Sequence, residues 1–252
     1  MTAPVLARQV FGGGRFYRHP RTGEEAPSIT TILSVLDKPA LPRWAAREAA
    51  EYAVAHWDAL GALPARDRVK LIKAAPWDRS GDAASIGDRV HDHIDRLVRG
   101  EPTNSPYERD VIPFMDAFDD FVNTWRPEFR MSEFTVWNRA INYAGTADFL
   151  ACIGGQLILG DHKTGKGVYA EAALQLHALA HAEVIVYPDG VEEPLPQVDR
   201  LAVLHLRPNR WELIEVPRNP QTWEAFKAAV LLHRWKQQEH TAFGTRRSGT
   251  VK

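Results

Sequence analysis

Two adjacent glycines, Gly154 and Gly155, stand between the apolar runs "YAGTADFLACI" and "QLILGDHK". A Gly-Gly pair adopts positive φ at both central positions of a tight turn, so it ties two antiparallel strands into one register. In that register Leu150 faces Leu159, Cys152 faces Leu157, Asp148 faces Asp161 and Thr146 faces Lys163, with all eight side chains on one face. The other face carries Ala147, Phe149, Ala151 and Ile153 against Gln156, Ile158, Gly160 and His162, small and mostly apolar, as packing against a helix requires. Facing carboxylates with Cβ atoms roughly 5 Å apart destabilise each other, and unpaired charge in a buried strand is costlier still. A divalent cation removes that conflict, and an oxygen-rich site suits Mg²⁺ or Mn²⁺. Lys163, two residues past Asp161 on the same face, is then placed to meet an anionic substrate or an attacking water. An isolated Asp-x-Lys is more often a plain ion pair at a sheet end; Asp148 across the turn is what gives this one its weight.

The elements around the hairpin define its setting. "VLARQVFGGGRFYRH" reads as two short strands joined by the glycines at 12 to 14. Helical patterning follows from about residue 28, with Ser28 as a cap and Pro39, Pro42, Pro64 and Pro76 as punctuation. Helices are expected over about 84–99, ending at Gly100, and 107–125, ending before Pro127. Strands are expected over 129–138, 143–152 and 156–163, a helix over 168–187, strands over 199–206 and 211–216, and a closing helix over 220–239. That order predicts an α/β (mixed α+β) fold with a central mixed sheet flanked by helices. We expect one domain over 1–252, with a hairpin and helical elaboration to about residue 80, a core over 84–240 and a loose tail over 241–252.

Charge and cysteine content narrow the partners. A formal net charge of −1 means that any nucleic acid would be held by local Lys and Arg rather than by a broadly basic surface. Cys152 is the only cysteine, which excludes an internal disulfide framework and an iron–sulfur cluster held by four thiolates of this chain. With no long uncharged apolar run, the expectation is a cytoplasmic protein with no membrane segment.

Two helices border the hairpin. In "ASIGDRVHDHIDRLVRGE", Ile86, Val90, Ile94, Leu97 and Val98 form one apolar stripe with His91 on its margin, and Gly87 one turn earlier leaves space beside it for a ligand or a close backbone. His91 reads either as a half-buried histidine with a hydrogen bond or as a metal ligand. "HDHID" also matches an H-x-H-x-D zinc fingerprint, the basis of an alternative reading as a zinc-dependent small-molecule hydrolase using His91 and His93; on a helix those two histidines are about 200° apart and cannot share an ion. His177 and His181 have the i, i+4 spacing of a zinc pair but no evident third ligand. Glu171, Gln175 and Leu179 share a stripe facing away from them, which leaves Gln175 polar among alanines and leucines.

Taken together, "GDRVHDHID", "YAGTADFLA", "LGDHKTGK" and "EAALQLHALAHA" resemble, in order and spacing, the helix, strand, D-x-K and glutamine motifs of the PD-(D/E)XK nuclease superfamily. Within it the chain looks like the RecB-like exonucleases of phages, related to the CRISPR-associated type, over about residues 84–187. The resemblance implies a restriction-endonuclease-like core and a DNA nuclease, with host cytoplasm as its location if phage-encoded. It implies that His91, Asp148, Asp161 and the backbone carbonyl of His162 hold Mg²⁺ or Mn²⁺, that Lys163 orients or activates water and stabilises phosphate charge, and that Gln175, Lys166 and Thr164 meet substrate. Glu133, in "SEFTVW", matches a carboxylate of the strand before. The tyrosine usual four residues after the glutamine is Leu179, and the iron–sulfur cysteines of many relatives are missing, so no cluster is expected. DNA is the expected partner, with a single-strand annealing protein as a companion of such phage enzymes. The alternative within the same fold is a non-catalytic DNA-binding or assembly module.

Overall fold

The computed structural model describes residues 6–10, 14–101 and 106–244. A small antiparallel sheet, β1 (Ala7–Val10), β2 (Gly14–Arg18) and β3 (Glu25–Pro27), opens the chain as expected, and the glycines at 12 and 13 lie outside the described residues. Ser28 caps the short helix α1 (Ile29–Leu33), its Oγ accepting from the Thr31 N–H at 3.0 Å.

The helical layer follows as α2 (Ala40–Ala55), α3 (Trp57–Gly61) and α4 (Ala65–Val98). The sequence suggested a break at Pro76, yet α4 runs through it for 34 residues. Packing overrides the proline: Trp77 meets Trp44 of α2 edge-on at 6.2 Å, and Arg79 pairs with the buried Glu48 of α2. The boundary expected near residues 80 to 84 therefore falls inside one helix, which carries the N-terminal layer directly into the core.

The core is a mixed sheet with helices on both faces. Its strands are β4 (Glu128–Asn138), β5 (Tyr143–Ile153), β6 (Gln156–Lys163), β7 (Val184–Val186), β8 (Glu192–Pro194), β9 (Arg200–Arg207) and β10 (Arg210–Val216). They lie in the order β10-β9-β6-β5-β4-β7-β8, with β6 and β9 parallel. On one face α4 and α5 (Ile112–Trp125) pack Val90, Ile94, Phe118 and Phe121 against Phe149, Ile158 and Leu204. On the other, α1, α6 (Glu171–Ala180) and α7 (Pro220–Gln237) cover Leu150, Leu159, Leu201 and Val203.

Two expected elements are corrected. The helix expected over 168–187 spans only Glu171–Ala180, because the β-branched Val184, Ile185 and Val186 extend the sheet against Trp137, Val136 and Thr135 of β4. The helix expected from residue 107 begins at Ile112, with Pro113 in its first turn. The tail expected to be loose lies, from residue 245 on, outside the described residues.

The glycine hairpin is as predicted. Gly154 and Gly155 have φ of +59° and +78°, and the register runs from Ile153↔Gln156 to Phe149↔Gly160. There the ladder stops. Below it β5 continues along β4, Ala147↔Phe134 to Tyr143↔Asn138, while β6 continues along β9, Asp161↔Val203 to Lys163↔His205. The two strands diverge where Asp148 and Asp161 sit, so these residues and Thr146 and Lys163 are not the cross-strand partners that an uninterrupted hairpin would make them.

Candidate metal centre

The divergence leaves backbone groups to be satisfied, and Asp148 satisfies one: its Oδ2 accepts the His162 N–H at 2.6 Å, in place of the missing ladder bond. Because a residue's N–H and C=O share one edge of an extended strand, the His162 carbonyl faces the same wedge. Thr146 is engaged elsewhere, its hydroxyl 2.8 Å from the Tyr17 hydroxyl of β2.

Three adjacent strands each add a carboxylate. Glu133 lies opposite Asp148, skipped by the ladder between Ser132↔Phe149 and Phe134↔Ala147, and its φ of +48° is left-handed, a conformation a glutamate adopts only under constraint. His91 descends from α4 between them, Nδ1 lying 3.6 Å from Glu133 Oε1 and 3.7 Å from Asp148 Oδ2. Asp161 accepts from Gln175 Nε2 of α6 at 2.9 Å through Oδ1 and has Lys163 Nζ 2.5 Å from Oδ2. Lys163 Nζ also reaches Gln175 Oε1 at 3.5 Å. Gln175 is thus held by the Asp161 carboxylate and the lysine together.

These groups line one cleft of about 480 Å³, with Arg15 and Tyr17 from the N-terminal sheet and Arg96 and Arg99 from α4 also on its walls. The electrostatics follow from burial of like charges. Burial and the Asp148 charge push Asp161 up to about 6, and burial and Glu133 likewise raise Asp148 against the pull of His91. Burial alone would depress His91, yet Asp148, Glu133 and Asp161 together lift it to about 9. Lys163 is raised for the same reason, Asp161 and Asp148 outweighing its desolvation. His162 is neutral, held well below the usual histidine range by burial and by His91 and Lys163. The site thus balances its carboxylates with protons on His91 and Lys163. A bound divalent cation would release the His91 proton.

The donor set fits such an ion. A ring nitrogen of His91, a ring nitrogen of His162 and an oxygen of Asp148 lie within 4.8 Å of one another, and the carboxylates of Asp161 and Glu133 border the same cleft. His91, Asp148, Asp161, Lys163, Gln175 and Glu133 are therefore brought together. His162, buried behind the cleft, and Thr164 and Lys166 are not among the residues that line it. A Cβ on Gly87 would meet Thr164 Oγ1 at 2.8 Å, so Thr164 occupies the space beside that glycine. Lys166 is exposed.

The zinc alternatives lose their geometry. The His91–His93 segment is helical, and His93 pairs with Glu108 at 3.2 Å and meets Tyr107 edge-on. His177 is buried, Nδ1 bonding the Ala173 carbonyl at 2.8 Å and Nε2 accepting the Asn219 N–H at 3.1 Å, while His181 bonds the His177 carbonyl and stacks on Trp223. Burial, chiefly, holds His177 below the ordinary value of 6.5. The folded state therefore binds fewer protons than the unfolded chain below pH 6.5, and stability falls as the pH drops through that value. His177→Asn should flatten the acid side of the melting-temperature profile between about pH 6.5 and 5, measured by thermal unfolding.

Arg15, Tyr17, Arg96 and Arg99 stand in no motif that announces a site and reach the cleft through tertiary packing. No family model and no curated protein matches this chain. Among solved structures, one described as "Crystal structure of SSO0001" aligns with 84% of this chain and 82% of its own at 14% identity and a TM-score of 0.32, too distant to carry a functional argument. Among the described residues, no helix is long and apolar enough to cross a membrane.

Proposed function

We propose that this protein is a divalent-metal-dependent DNA nuclease, acting as an exonuclease in recombination or phage DNA processing. The observation that carries this reading is the parting of β5 and β6, which gathers Asp148, Asp161, Lys163, His91, Glu133 and Gln175 in one cleft. His91, Asp148, Asp161 and the His162 carbonyl would hold Mg²⁺ or Mn²⁺. Such an ion supplies Lewis acidity toward a phosphodiester and lowers the pKa of water.

The chain's own groups do the rest. Lys163 keeps its proton, its pKa being raised, and so acts as a cation at Nζ: it donates to the attacking water or to a phosphate oxygen. Gln175 holds Asp161 by an N–H and faces Lys163 with its carbonyl, which fixes both rotamers. Arg15, Arg96 and Arg99 lie on the cleft wall beside Asp88, Asp92, Asp95 and Glu101, with Arg96 paired to Asp92 at 3.2 Å and Arg99 to Asp95 at 2.9 Å, so a phosphate would compete with those carboxylates for the two helix arginines.

The test is incubation with end-labelled linear and closed circular DNA in Mg²⁺, Mn²⁺ or EDTA. Degradation of linear DNA alone, abolished by EDTA, is the expected result. Absence of metal-dependent cleavage of either substrate overturns the reading, and DNA binding without cleavage would favour a non-catalytic module on this fold.

A further inference from the structure

In the proposed metal set His162 contributes only its backbone carbonyl. Its ring has no assigned task, yet it is built into the centre. It is 2% exposed, stacks on Phe149 with centroids 4.9 Å apart and meets His91 edge-on at 5.5 Å. The ring makes no hydrogen bond among the described residues, and Nε2 is buried without a partner. A core filler against Phe149 needs no nitrogens: phenylalanine or leucine would occupy the place without burying unpaired polar atoms.

The parted strands explain how the ring reaches the site. His91 comes from α4, on the sheet face that His162 shares, and Asp148 lies at the opening where both faces meet. The ring nitrogens of His91 and His162 and an oxygen of Asp148 span no more than 4.8 Å. Ligand atoms opposite one another on an octahedral ion are separated by about 4.2 Å at bond lengths of about 2.1 Å, so small side-chain adjustments bring these three onto one ion.

Resting on the metal-centre reading, we propose that the His162 imidazole is itself a metal ligand beside His91 and Asp148, and that two nitrogen donors make the centre prefer Mn²⁺ to Mg²⁺. Mg²⁺ favours oxygen and gives up water reluctantly, whereas imidazole is a better donor to transition ions.

The experiment is Mn²⁺ titration of the full-length protein, followed by continuous-wave EPR for affinity and pulsed EPR for nitrogen couplings, with Mg²⁺ affinity taken from competition. The wild-type protein should show two imidazole nitrogens on Mn²⁺. His162→Phe, which keeps the stack on Phe149, should show one, with Mn²⁺ affinity lower by about tenfold or more and Mg²⁺ affinity changed by less than about threefold. One nitrogen in the wild type, or an unchanged Mn²⁺ affinity in His162→Phe, overturns the proposal. If Mg²⁺-dependent cleavage persists in that case, the nuclease reading stands; absence of any Mn²⁺ binding by the wild type removes both. Should His162→Phe fail to fold, the wild-type spectrum with ¹⁵N-labelled histidine decides alone.

Discussion

Asp161→Asn should lower metal-dependent DNA cleavage by about 10³-fold or more, and Lys163→Ala by about 10²- to 10³-fold, in single-turnover assays at saturating Mn²⁺. Asp161 is 1% exposed, and both of its oxygens are committed within the centre, one to Gln175 and the other beside Lys163. The amide keeps the shape and loses the charge. Lys166→Ala, by contrast, should stay within about threefold of wild type, because that side chain is exposed and outside the cleft. Stability separates the catalytic effect from misfolding. The folded protein raises the Asp161 pKa from 3.8 to about 6, so it holds more protons than the unfolded chain across that window, and metal-free stability falls as the pH rises through it. In EDTA, Asp161→Asn should lose that slope and remain folded at pH 8 while cleavage is gone. Equal loss of fold and activity at pH 8 would assign Asp161 to the scaffold, and undiminished cleavage would remove it from the centre.

What the sequence made legible here was local. Gly154-Gly155 set the turn and the register, because positive φ at two successive residues leaves little other choice, and the alternation along "LILGD" set the faces. The same rule extended too far. Pairing was expected to continue to Asp148 and Asp161, whereas β6 leaves β5 after Gly160 and stays paired on its other edge with β9, a strand some 40 residues later that no local pattern announces. His91 and Gln175 were placed by helical periodicity, and the face each presents to the centre agrees with it. Glu133 was legible only by resemblance, since a left-handed glutamate inside a strand runs against strand geometry. Arg15 and Tyr17 arrive from a separate small sheet, and Pro76 is carried inside α4 by contacts with α2 that sequence punctuation does not encode. Thr164, which the D-x-K-T-G-K run suggested for substrate, places its hydroxyl where a side chain at Gly87 of α4 would stand.

Gly160→Ala should destabilise the protein by about 3 kcal/mol, the upper range for overpacking a filled core, and lower the melting temperature by about 6–12 °C. An added Cβ would fall 1.9 Å from Phe149 Cζ and 2.2 and 2.5 Å from its Cε atoms, and the ring has nowhere to retreat. It is fully buried, stacked on His162 on one side and edge-on to Phe129 at 6.0 Å. Phe149→Leu in the same chain should recover part of the loss, with a coupling of about 1–2 kcal/mol in a double-mutant cycle read by thermal or urea unfolding. The position also matters for chemistry. Phe149↔Gly160 is the last rung before the strands part, so a ring displaced there shifts both Asp148 and His162, and cleavage by the folded fraction of Gly160→Ala should fall by about tenfold even below its melting transition. A Gly160→Ala protein that melts with the wild type would mean that Phe149 yields freely.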